Sequence, residues 1–236
     1  MGVPIIRKMD IKRLILIALA FFSLPVLAQW RIGITAGPDY NFYSRNNHYM
    51  KEIHYSGAWG ATTGIVVQKD FTNWLSLRTE LNWILKNHQE EQIDHENNKL
   101  FDTHTWNHYI QLPFMASFNY GSKKMHGFFN AGLYGGYWIH SSYWGRYVGL
   151  TNRYSYPVGD IICQNKRKLD SDYDQRFDYG IVGGIGIEYR SSKHWAYQIE
   201  SRIYYSGQNT QKENAVFADP RYNTTLSFQA TIIKLL

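Results

Sequence analysis

Arg78 and Glu80 stand two residues apart, Glu200 and Arg202 repeat the spacing with the signs reversed, and Glu188 adds a further carboxylate. Residues two apart share one face of an extended strand, so each pair presents both charges side by side. Such groups could line a gated narrow pore, or they could neutralise one another as buried ion pairs. Burial costs on the order of several kcal/mol per charge unless the charge is paired and hydrogen-bonded. If the two faces meet, Arg78 is expected to pair with Glu200 and Glu80 with Arg202, with Glu188 nearby. Carboxylate pairs in such a setting are not evidence of glycosidase chemistry.

Three other stretches carry reactive residue types. His88, His95, His104 and His108 lie among five acidic residues between Glu90 and Asp102, a mixture able to bind zinc or a related ion. No HExxH spacing is present and nothing fixes four ligands, so a solvated loop is the simpler reading and no metal site is assigned. His140-Ser141-Ser142 offers a base and a hydroxyl for a membrane-embedded lipid hydrolase, but the sequence places no carboxylate beside them. No catalytic residue and no cofactor is assigned. Tyr143, Trp144, Tyr147, Tyr154 and Tyr156 fall in a polar stretch, 141–177. Aromatic residues of this kind supply binding hot spots, although they would also pack together as an ordered cap.

The first residues belong to no fold. Arg7, Lys8, Lys12 and Arg13 precede an apolar run, 14–22, and Val26-Leu27-Ala28 matches a small-x-small cleavage pattern. This is the layout of a secretory signal peptide cut before Gln29; the run falls short of the roughly 20 apolar residues a membrane-spanning helix needs. Residues 1–28 hold four of the 25 basic and one of the 19 acidic residues, leaving 21 against 18 in the mature chain. That balance gives no reason to expect a nucleic-acid partner. Cys163 is the single cysteine, so no internal disulfide forms.

From Gln29 onward the hydropathy repeats every second residue. Segments 30–35, 60–68, 74–86, 106–120, 128–140, 178–190, 195–206 and 222–236 read as strands. Most exceed the ~5–6 residues typical of soluble proteins and match the ~9–11 that a tilted strand needs to cross a bilayer. Short connections near 70–73, 121–127 and 191–194 alternate with long polar ones at 41–59, 87–105, 141–177 and 207–221. That is the layout of an outer-membrane β-barrel, with short turns in the periplasm and four loops outside. On one parity the strands carry Leu75, Leu77, Leu81, Ile110, Leu112 and Phe114; on the other they carry Ser76, Arg78, Glu80, Gln111 and Ser117. An eight-stranded interior is only wide enough for side chains to fill it. Glycines 132, 136, 180, 184 and 186 therefore make room inside, and the apolar face meets lipid. Tyr179 and Tyr189, ten residues apart, span about 25 Å, the height of the apolar band. Trp83, Trp106, Tyr137 and Tyr205 would continue the outer girdle with Tyr179; Tyr120 and Trp195 would continue the inner one with Tyr189.

LSLRTELNW (75–83), YIQLPFMASF (109–118), FNAGLYGGYWI (129–139) and DYGIVGGIGIEY (178–189) resemble the strands of PorT-like outer-membrane β-barrel proteins of Bacteroidota. The likeness covers essentially all of the mature chain, and the motifs speak to the barrel rather than to an activity. One branch of that family serves the type IX secretion and gliding apparatus. The chain departs from the usual pattern in ending Lys234-Leu235-Leu236 rather than on an aromatic residue.

The expected architecture is therefore all-β: a signal peptide (1–28) and one eight-stranded antiparallel up-and-down transmembrane barrel (29–236). The expected role is non-enzymatic, structural or interacting. The partners expected are outer-membrane lipid and an envelope or secretion-system protein. A narrow small-solute channel is the alternative, and a lipid hydrolase a more distant one.

Overall fold

The period-two alternation becomes strand almost throughout the computed structural model, which describes residues 29–45, 53–93, 99–147, 161–212 and 221–236. The expected signal peptide lies outside the described residues. Ten strands follow in order: β1 (Trp30–Arg45), β2 (Ile53–Asp70), β3 (Leu75–Leu85), β4 (His88–Ile93), β5 (Lys99–Gly121), β6 (Met125–Tyr147), β7 (Ile161–Arg167), β8 (Phe177–Arg190), β9 (Trp195–Ser206) and β10 (Arg221–Leu235). Eight of them close a ring in the order β1, β2, β3, β5, β6, β8, β9, β10, every neighbour antiparallel. Closure is made by β1 against β10, from Arg31 opposite Leu235 to Arg45 opposite Arg221. Among the described residues no helix is long and apolar enough to cross a membrane. A closed ring leaves no strand edge unpaired in hydrocarbon.

The two remaining strands correct the loop assignment. β4 continues β3 beyond Lys86-Asn87 and lies between β2 and β5; β7 folds back on the upper part of β6. Parts of stretches 87–105 and 141–177, residues 88–93, 99–105, 141–147 and 161–167, thus form strands rising above the ring, and β1, β2, β5 and β6 are longer than their apolar alternation suggests. Above the band both faces meet polar surroundings, so the two parities lose their contrast while the backbone ladder carries on.

A bulge conceals part of this. His108 pairs with His140, but Tyr109 pairs with Trp138, leaving Ile139 as an extra residue in β6. An extra residue exchanges the two faces of a strand. Below it Trp138 is buried inside; above it Ser141 takes the inward position.

At the end where Trp30 and Leu235 lie, three short turns share one device. The hydroxyls of Thr72, Ser122 and Ser192 each accept the backbone N–H three residues later, from Leu75 at 3.0 Å, Met125 at 3.2 Å and Trp195 at 3.1 Å. Gly121 enters the middle turn at φ 120°, a region that L side chains rarely occupy. Gly121→Ala is expected to lower stability by about 1–2 kcal/mol, read as a shift in the urea unfolding midpoint in detergent. An unchanged midpoint would mean that the turn relaxes without strain.

Candidate functional site in the lumen

The inward parity of β3 delivers Ser76, Arg78, Glu80 and Asn82 to the barrel axis, all buried. β9, four strands round the ring in either direction, delivers Gln198, Glu200, Arg202, Tyr204 and Ser206. Arg202 grips Glu80 through both terminal nitrogens, Nη1 to Oε2 at 2.7 Å and Nη2 to Oε1 at 2.9 Å. Such a bidentate fork is among the stronger ionic contacts available to a protein. Within each strand the neighbours also pair, Arg78 Nε with Glu80 at 2.6 Å and Arg202 Nη2 with Glu200 at 2.6 Å. Asn82 and Asn130 donate to Glu80 and Glu200, each at 2.8 Å.

Arg78 and Glu200, the other expected cross-barrel pair, stand 3.8 Å apart, an ion pair without a hydrogen bond. Arg78 reaches instead for Gln198 Oε1 at 2.5 Å. Gln198 in turn donates to Glu188 at 2.7 Å. Glu188 is thus joined to the central cluster at one remove. Its own cations are Arg31 and Arg190, whose Nη1 and Nε each lie 2.9 Å away, and Arg31 also holds Asp70.

Towards the other end Lys86 bonds Asp178 at 2.5 Å. Its ammonium lies 5.1 Å from the ring centroids of both Tyr109 and Tyr134, and Ser206 donates to the other Asp178 oxygen at 2.6 Å. Ile84, Tyr109 and Trp138, with Leu169 packed on them, close this level. Arg31, Lys86 and Asp178 stand at the margins of their segments and Asp70 in the short connection 70–73, so the sequence does not single them out. The signal was parity: Lys86 is in phase with Arg78, and Asp178 with Glu188.

The glycines explain how so much fits. A methyl group at Gly184 would overlap Glu200 Oε1, and one at Gly186 would overlap the Phe128 ring. On the outer wall Tyr120, Tyr179, Tyr189, Trp195 and Tyr205 are exposed. Trp83, Trp106 and Tyr137 share that wall but are half-buried. Their rings lean on His108 at 5.5 Å, His104 at 6.2 Å and Phe177 at 5.0 Å.

A polar, filled centre inside a greasy, aromatic-banded wall is the inverse of a soluble barrel, and the sequence agrees with that class. Residues 18–210 match the outer membrane protein β-barrel domain. The chain belongs to that family. As an outer-membrane barrel it is similar to several solved structures. OprG from Pseudomonas aeruginosa is 8% identical with a TM-score of 0.45, the match covering 89% of this chain and 95% of that one. Neisserial surface protein A is 12% identical with a TM-score of 0.41, covering 85% and 95%. The outer membrane protein W of E. coli is 12% identical with a TM-score of 0.37, covering 86% and 96%. No curated protein matches the chain.

Above the wall of this outer-membrane barrel the remaining candidates separate. His88 stacks on Tyr43 with centroids 4.2 Å apart and contacts Asn107 and Glu90. His108 and His140 sit side by side, rings 5.4 Å apart. His95 lies outside the described residues, and among those described no three metal-ligating side chains gather. Ser141 points inward and donates to Asn107 at 2.8 Å, away from His140 on the outer wall. Lys99 bonds Glu91 at 2.7 Å, and that carboxylate raises the lysine's affinity for its proton. Tyr143 and Trp144 belong to β6 rather than to a loop. Trp144 is exposed, and Tyr143 faces the other way, half-buried. Tyr147 ends the same strand. Tyr154 and Tyr156 lie outside the described residues. Cys163 is a half-buried free thiol on β7.

Proposed function

We propose that the protein is a closed outer-membrane barrel without enzymatic activity, a structural or interacting component of the cell envelope. The observation that carries this reading is the filled lumen. Arg78, Glu80, Glu200 and Arg202 are each 2% exposed or less, and their bonds cross the barrel axis. A conducting pore needs a wet path, and this cross-section is occupied by side chains that hold one another. The outer wall meets lipid. The hairpins raised above it, with Trp144 exposed, offer a surface for a protein partner. The strand motifs shared with PorT-like proteins of Bacteroidota extend the reading to an accessory of envelope or type IX secretion machinery. The mature charge gives no footing for nucleic acid, and no cofactor is invoked.

Planar bilayers test the closed lumen. The purified barrel is expected to insert without step conductance. Discrete steps that change size in Arg78→Ala would replace this proposal with the narrow-channel reading.

A further inference from the structure

At the short-turn end the lumen opens into a cup of about 560 Å³, lined in part by Arg31, Asp70, Asn119, Lys123, His126 and Arg190. The cup is blind, because the buried Arg78–Glu80–Glu200–Arg202 layer fills the lumen further along the axis. Its volume falls within the roughly 300–1,000 Å³ of small-molecule sites.

The carboxylates at the cup are already engaged: Asp70 is held by Arg31, Ser76 and Gln68. Glu188, behind the lining residues Arg31 and Arg190, is held by both of them and by Gln198. Donors remain. Arg31 Nε is buried without a hydrogen-bond acceptor, as is His126 Nε2 when that nitrogen carries the proton; His126 Nε2 stands 3.5 Å from Glu188 without a hydrogen bond. Lys123 is exposed at the rim, and Arg190 Nε is the only one of its nitrogens turned to Glu188 among the described contacts. Buried donors left unpaired are costly, a cost that an incoming acceptor removes.

We propose that this cup binds an oxyanion group, carboxylate or phosphate, carried by a small molecule or a chain end on the short-turn side of the membrane. Lys123 and Arg190 draw the oxyanion in at the rim, and a small shift of the side chains at the floor brings it onto the buried free donors of Arg31 and His126. The site goes beyond the envelope role proposed above and shares with it only the filled lumen that closes the cup.

Calorimetric titration of the purified barrel in detergent tests it with three probes: inorganic phosphate, N-acetyl-Ala-Ala with a free carboxylate, and the same dipeptide as its amide. One or both oxyanions should bind with a stoichiometry of one, and the amide about tenfold more weakly or not at all, as for loss of one charge-assisted hydrogen bond. The stronger of the first two identifies the source. Arg190→Gln should weaken that binding about tenfold, His126→Phe should abolish it by filling the floor, and Lys193→Gln, in a turn outside the cup, should leave it unchanged. Heat-dependent gel migration reports whether each variant is folded, and Arg190→Gln decides the matter alone if His126→Phe does not fold. Absence of binding, equal binding of acid and amide, or binding indifferent to Arg190→Gln in a folded barrel overturns the proposal.

Discussion

Glu80→Ala is expected to lose about 3–5 kcal/mol of folding stability, the cost of leaving buried charge without its partner. The carboxylate receives four of the central bonds: two from Arg202, one from Arg78 and one from Asn82. Its removal leaves two guanidinium groups facing the single carboxylate of Glu200, which lies 3.8 Å from Arg78. Truncating Arg202 as well should recover part of the loss, so the double variant falls short of the sum of the singles by about 1–3 kcal/mol. Urea unfolding in micelles, followed by tryptophan fluorescence, measures all four corners of the cycle. A loss below about 1 kcal/mol for Glu80→Ala would mean that water enters and solvates the exposed cations, and the packed lumen would then fail as a description.

Ile185→Arg is expected to cost about 2–4 kcal/mol, the range for a cation on the lipid face near the midplane. Ile185 is 58% exposed and lies between Tyr179 and Tyr189 on the same parity. In water such exposure would make the change nearly neutral, so the size of the loss reports what solvent touches that wall. Ile162→Arg supplies the contrast. Ile162 is 67% exposed on β7, above the ring, and should tolerate the charge with little change. Equal tolerance at both positions, measured by unfolding in lipid bilayers, would remove the membrane from the account.

Parity made most of the wall legible. Leu75, Leu77 and Leu81 against Ser76, Arg78 and Glu80 settle both that the segment is a strand and which side is greasy, because each face meets a different solvent. The same contrast brought Glu80 and Arg202 forward before any geometry was known. It could not rank partners: Arg78 had both Glu200 and Gln198 within reach, and the choice depends on side-chain length and on small residues such as Gly184. Nor could it follow the chain above the lipid. The HQEEQI of β4 is polar on both faces, and the extra residue at Ile139 puts Ser141 out of step with Trp138. Arg31 was missed for a similar reason, since one cation at the start of a segment has no periodic neighbour to mark it.

Arg202 and Glu80 are 122 residues apart in the chain and come from opposite sides of the cylinder. In an incomplete arc of strands each arginine would keep only the carboxylate of its own strand, and the cross-barrel bonds would be unmade. Joining β1 to β10 brings the opposite walls together and completes those bonds. The centre acts as a latch that rewards only the finished circle, which makes half-assembled forms poor resting places for this polypeptide.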